Sequence, residues 1–70
     1  MTDSRARRQK LIAEMIRAGT VASQDEVTAK LAEQGIAVTQ ATVSRDLEQL
    51  GAVKVKRGGI MSYALPDQIA

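Results

Sequence analysis

The sequence contains no cysteine and no histidine, and Tyr63 is its only aromatic residue. Without cysteine, neither a disulfide nor a thiolate metal ligand can staple so short a chain. Without histidine, the commonest zinc ligand and the usual general base near neutral pH are both missing. A lone tyrosine offers no platform on which single-stranded RNA bases could stack. With five glycines in addition, an enclosed small-molecule pocket is hard to build, so no enzyme, no metal site and no cofactor are expected in these residues. Apolar runs are short as well. Arg5, Arg7, Arg8 and Lys10 precede Leu11–Ile12–Ala13 as in a signal peptide, but Glu14 and Arg17 interrupt the run. That falls well short of an exported or membrane segment. The expectation is a cytoplasmic protein without a membrane partner.

Seventy residues make one domain. A chain of this size buries only about 60% of its unfolded surface, so its core must be thin. The formal net charge is +2, which says less than its distribution. Arg5, Arg7, Arg8 and Lys10 face only Asp3 near the N-terminus, and Lys54, Lys56 and Arg57 face only Asp67 near the C-terminus. Between them Glu14, Asp25, Glu26, Glu33, Asp46 and Glu48 outnumber Arg17, Lys30 and Arg45. Basic flanks around an acidic middle suit an anionic partner held from two sides. Ordinary solvated surface is the plain alternative, and charge alone does not separate the two.

Leu11, Ile12, Met15 and Ile16 recur at helical spacing before Gly19, predicting a first helix from about Arg5 to Ala18. Thr20–Val21–Ala22 is long enough only for an edge strand or a link. Ser23-Gln24-Asp25-Glu26 fits a capping box, and its acids suit the positive end of a helix dipole. A second helix with Val27 and Leu31 inward then runs to Gly35. After a short link, Thr39 caps a third helix. At about 100° per residue, Val43, Leu47 and Leu50 of that helix fall within roughly 60° of one another. Ala41, Thr42, Arg45, Glu48 and Gln49 cover the other side, with Ser44 on its flank, and Gly51 stops the helix. Beyond it the period becomes two: Val53 and Val55 alternate with Lys54 and Lys56, and Met61, Tyr63 and Leu65 with Ser62 and Ala64. Gly58-Gly59 marks the reversal of a β-hairpin. A three-residue loop, Arg57-Gly58-Gly59, sets Val55 opposite Met61 and Val53 opposite Tyr63 on one apolar face, so that register is expected. Pro66 is read as the end of the second strand.

The fold class is therefore mainly α (α+β): a winged helix-turn-helix, three helices followed by a C-terminal β-hairpin wing. Helices two and three match the helix-turn-helix unit, whose second helix enters the major groove of double-stranded DNA. The third helix has fitting chemistry. Thr39, Gln40, Ala41, Thr42 and Ser44 are small or hydrogen-bonding, and Arg45 points away from the apolar stripe. Arginine can grip guanine O6 and N7 with two hydrogen bonds, and glutamine can do the same for adenine. Glu48 would repel phosphate and is expected to lie clear of the groove. The candidate base-reading residues are Gln40, Thr42, Ser44 and Arg45. Backbone contacts are expected from Ser23, Gln24, Thr39, Lys54, Lys56, Arg57, Arg5 and Arg8. Each has a plainer reading: Gln40, Thr42 and Ser44 as solvated surface, Arg45 paired with Asp46 or Glu48, Lys54 and Lys56 as guards of an edge strand. All would have to hold at once in a chain with helix-turn-helix order. A winged helix used for protein contact is the rival function. The basic outer face of the hairpin argues against it.

Val38-Thr39-Gln40-Ala41-Thr42-Val43-Ser44-Arg45-Asp46-Leu47 resembles the signature of the bacterial arginine repressor family. Ser23-Gln24-Asp25-Glu26, Leu50-Gly51-Ala52-Val53-Lys54-Val55 and Tyr63-Ala64-Leu65-Pro66 extend the likeness over essentially the whole chain. The resemblance implies a winged-helix N-terminal domain, residues 1–66, that binds operators of arginine biosynthesis and catabolism genes. It assigns the family's Ser-Arg pair to Ser44 and Arg45, and its preceding Gln and Thr to Gln40 and Thr42. It also implies a C-terminal domain that binds L-arginine as co-repressor and assembles trimers and hexamers, with residues 67–70 starting the linker to it. Arginine sensing and hexamerisation then lie outside these residues. The domain alone is expected to be a monomer that binds one half-site weakly, since the avidity of linked domains is lost.

Overall fold

Helix α1 spans Ser4–Ala18, α2 Gln24–Glu33 and α3 Gln40–Leu50; strands β1 (Val53–Arg57) and β2 (Ile60–Ala64) follow, then the short helix α4 (Pro66–Ile69). The computed structural model describes residues 4–19 and 21–69, and the side chains of all of these but Ser4, Arg57 and Ile69. Helix α1 buries Ile12, Ala13 and Ile16, α2 buries Val27 and Leu31, and α3 buries Val43 and Leu47. Val21, Tyr63 and Leu65 close the core, and Leu50 packs against it half-buried. Fully burying each large aliphatic side chain is worth about 1.5–3 kcal/mol, which is why so few of them fix the arrangement of three helices. Val21 and Ala22 form a link rather than an edge strand; Thr20 lies outside the described residues. This is the winged helix-turn-helix architecture expected from the pattern.

The turn from α3 into the wing depends on one glycine. Gly51 has φ +74°, its N–H donates to Glu48 O at 3.0 Å, and the Ala52 N–H donates to Leu47 O at 2.9 Å. These two bonds close the helix as a Schellman motif. A Cβ on Gly51 would stand 2.9 Å from Pro66 Cγ. Gly51→Ala should therefore carry the left-handed backbone cost of about 1–2 kcal/mol and a steric clash in addition. Urea unfolding is expected to show a loss of at least about 2 kcal/mol with an unchanged m-value.

The hairpin register differs from the expected one. Val55 pairs with Ser62, Lys56 with Met61 and Lys54 with Tyr63, leaving the two-residue loop Gly58-Gly59. Both glycines have positive φ, +57° and +84°, close to the mirror image of a type I turn, whose twist matches that of the strands. Counting apolar residues onto one face assumed that the wing buries only one side. In fact Tyr63 on one face and Ala64 on the other are both buried, while Val53, Ile60 and Met61 stay largely exposed. Lys54 and Lys56 still share a face, now with Tyr63 and Met61.

Beyond β2 the chain turns into a short helix. The strand ends at Ala64, Leu65 is buried, and Pro66 opens α4 instead of ending a strand. Proline suits a first helical position because its missing N–H would have no partner there. Gln68 Oε1 accepts from the Leu65 N–H at 2.9 Å, and Asp67 pairs with Arg17 at 3.1 Å across the exposed surface. Asp67 and Gln68 thus bond back to the residues before them in the fold; Ala70 lies outside the described residues.

Candidate nucleic-acid interface

The two cap residues set the pose of the helix-turn-helix. Ser23 Oγ accepts from the Glu26 N–H at 3.2 Å, while Glu26 Oε1 accepts from the N–H of Ala22, one residue before the cap. Thr39 Oγ1 accepts from the Thr42 N–H at 3.3 Å and lies 3.1 Å from Thr42 Oγ1. With Val43 and Leu47 locked in the core, α3 presents Gln40, Ala41 and Arg45 to solvent, with Thr42 and Ser44 half-buried beside them. Arg45 is exposed and has no ion-pair or hydrogen-bond partner among the described residues. Glu48 and Gln49 are exposed further along the helix.

Two shallow clefts flank this surface. One, about 330 Å³, is lined by Ser23, Gln24, Asp25, Gln40, Lys54 and Tyr63. The N-terminal ends of α2 and α3 therefore meet the wing there, and four of the expected contact residues share one cleft. The Lys54 ammonium stands over the Tyr63 ring, 5.6 Å from its centre. Burial raises the Tyr63 phenol pKa, opposed by its hydrogen bond with Gln24, so the hydroxyl stays neutral near pH 7. Gln40 Nε2 donates to Asp25 Oδ1. Lys56 is exposed on the same strand face as Lys54. The side chain of Arg57 lies outside the described set.

The second cleft, about 220 Å³, lies between α1 and α3 and is lined by Arg5, Arg8, Thr42, Arg45, Asp46 and Gln49. Its floor is an internal ion pair. Asp46 is only 2% exposed; it accepts from Arg8 Nε and, at 3.1 Å, from Arg8 Nη2. Gln9 Nε2 adds a third bond to Asp46 at 3.1 Å and another to Gln49 Oε1 at 2.6 Å. Burial by itself raises the Asp46 pKa, but the Arg8 and Gln9 hydrogen bonds and the charges of Arg8 and Arg5 outweigh it and hold the carboxyl below its usual value. Arg8 thus faces inward to a carboxylate, while Arg5 stays exposed at the cleft rim.

Sequence reasoning missed three residues here. Asp46 was counted as an ordinary acid, although on the helical wheel it falls about 40° from Leu50, on the core side. Asp25 was read only as a partner of the helix dipole, with no signal for its bond to Gln40. The expected register put Tyr63 on the face away from Lys54, so nothing signalled its role as a seat for Lys54. Among the described residues no group of acidic side chains is placed to hold a metal ion, and no helix is long and apolar enough to cross a membrane.

A recognition helix with a polar, closely approachable N-terminal half, flanked by a lysine-bearing wing, defines a DNA-binding domain of the winged helix-turn-helix class. Residues 4–70 match the family described as arginine repressor, DNA binding domain. The chain is 49% identical over 63 residues to the arginine repressor of Pelotomaculum thermopropionicum, covering 89% of this chain and 42% of that relative. It is 46% identical over 65 residues to the arginine repressor of Symbiobacterium thermophilum, covering 91% of this chain and 43% of the relative. The chain belongs to the arginine repressor family, and it spans less than half the length of these relatives.

Proposed function

We propose that these residues are the sequence-specific DNA-binding part of an arginine-responsive, cytoplasmic transcriptional regulator without enzymatic activity. Its targets are operators of arginine biosynthesis and catabolism genes. Gln40, Thr42, Ser44 and Arg45 read base edges. Ser23, Gln24, Thr39, Lys54, Lys56, Arg57 and Arg5 hold the phosphates. The observation that carries this reading is Arg45, exposed and unpaired on α3 beside the arginine-lined cleft. Arg8 is spent on Asp46 in the DNA-free domain, so its share of phosphate binding is small. On this reading, L-arginine acts as co-repressor and hexamers assemble through residues outside this chain. The domain alone is a monomer binding one half-site.

Titrating operator and scrambled duplexes at two salt concentrations tests the reading. Tighter binding to the operator, with a steep salt dependence on both duplexes, is expected. Equal weak binding to both would reduce the domain to a non-specific basic module. Lys54→Ala should weaken binding to all duplexes alike and flatten the slope of log K against log salt by about one unit, the share of one phosphate contact. An unchanged slope would make Lys54 only a guard of the hairpin edge.

A further inference from the structure

Gln40 is the first residue of α3 and Asp25 the second of α2, and their side chains meet at the mouth of the cleft shared with Lys54 and Tyr63. Both are exposed, so neither is needed to fill the core. We propose that Asp25 is a positioning residue for base recognition: its carboxylate fixes which edge of the Gln40 amide faces DNA.

A carboxylate can only accept hydrogen bonds, so it holds the NH2 side of the Gln40 amide and rejects the flipped orientation, which would set two oxygens together. A primary amide has one N–H beside its oxygen and one turned away. Donating the far N–H to Asp25 leaves Oε1 and the near N–H side by side. That is the donor–acceptor pair that matches adenine N7 and N6 in the major groove. Without Asp25 the amide would rotate freely and would have to be ordered as DNA binds. The acidic residue is a poor neighbour for phosphate, yet it stands at the protein surface next to the reading helix. Its bond to Gln40 gives a reason for that placement which the dipole of α2 does not.

The inference rests on the reading of Gln40 as a base contact, and the experiment keeps the two separable. The 70-residue domain and its variants Gln40→Ala, Asp25→Asn and the double variant are titrated with duplexes. Each duplex carries one substituted base pair in a site selected by the unmodified domain from a random pool. Gln40→Ala should lose about 5- to 150-fold of the preference at one A·T pair, the value of a bidentate contact. Asparagine is isosteric with aspartate but can accept or donate, so it supports either amide orientation. Asp25→Asn should therefore lower the preference at that same pair by about two- to tenfold, the cost of ordering one flexible side chain, and leave other positions unchanged. It should also tighten binding to every duplex alike by removing a negative charge, an effect that cancels in the ratio. In the Gln40→Ala background, Asp25→Asn should change no preference at all. Unchanged preference in Asp25→Asn, at the pair that Gln40→Ala loses, would overturn the inference and leave the reading of Gln40 standing. If Gln40→Ala altered no preference anywhere, the base contact itself would fall and the inference with it.

Discussion

Arg8→Ala is expected to cost the domain about 3 kcal/mol, the low end of the usual penalty for breaking a buried ion pair. A 70-residue domain holds roughly 4–10 kcal/mol in all, so this one side chain carries a large fraction of the fold. The penalty arises because Asp46 is 2% exposed, on a short stem fixed to α3, and cannot reach water once its partner is removed. Gln9 still donates to it, which keeps the cost at the low end. Asp46→Ala should cost less, since Arg8 has a long side chain at the edge of α1, already 14% exposed, and can swing outward. Equal losses in the two variants would contradict that asymmetry. The pair also makes stability depend on pH. Because the folded domain holds the Asp46 carboxyl below its ordinary value, the stabilisation is present in full above the unfolded value near 3.9 and drains away as pH falls through the folded one. Urea midpoints measured from pH 6 downward should fall steeply below about pH 4, and less steeply in Asp46→Asn.

Arg45→Ala acts on recognition rather than on the fold. The side chain is exposed and unpartnered among the described residues, so its removal should change stability by less than about 0.5 kcal/mol. On the operator it should cost the value of a bidentate guanine contact, about 1–3 kcal/mol of discrimination, or 5- to 150-fold. Scrambled duplex should lose far less. A uniform loss on both duplexes would make Arg45 a phosphate contact. The contrast with Arg8 follows from partners alone: of the arginines that line this cleft, Arg8 is held by a buried carboxylate, while Arg45 is left for DNA.

The helix boundaries were legible in the sequence. Ser23 and Thr39 announce helix starts because a cap needs only its own neighbours, and Gly51 announces a stop because the αL position favours glycine. The spacing of Val43, Leu47 and Leu50 separates the structural side of α3 from its exposed side. What failed was one non-local pair and two local choices between competing signals. The Arg8–Asp46 pair joins residues 38 apart in sequence, and nothing periodic links them. The wing register was misjudged because apolar residues were assigned to one face, whereas the preference of Gly58-Gly59 for a tight mirror-image turn decided it. Proline both stops strands and starts helices, so Pro66 alone signals either, and the bond from the Leu65 N–H to Gln68 Oε1 favours the helix. On the candidate interface, residue types were readable but their commitments were not. Gln40 bonds to Asp25, and Lys54 rests on Tyr63.

The central claim is that the N-terminal half of α3 and the lysine face of the wing meet DNA. Titrating operator duplex into the isotope-labelled domain and following amide and side-chain NMR shifts tests it directly. The largest changes should fall on Thr39 to Arg45, the Gln40 side-chain amide and Lys54 to Lys56. The cleft between α1 and α2, lined by Leu11, Glu14, Met15, Ala18, Lys30, Glu33 and Gln34, shares no residue with that surface and should stay unperturbed. Changes centred on that α1–α2 cleft, with Thr39 to Arg45 silent, would contradict the account.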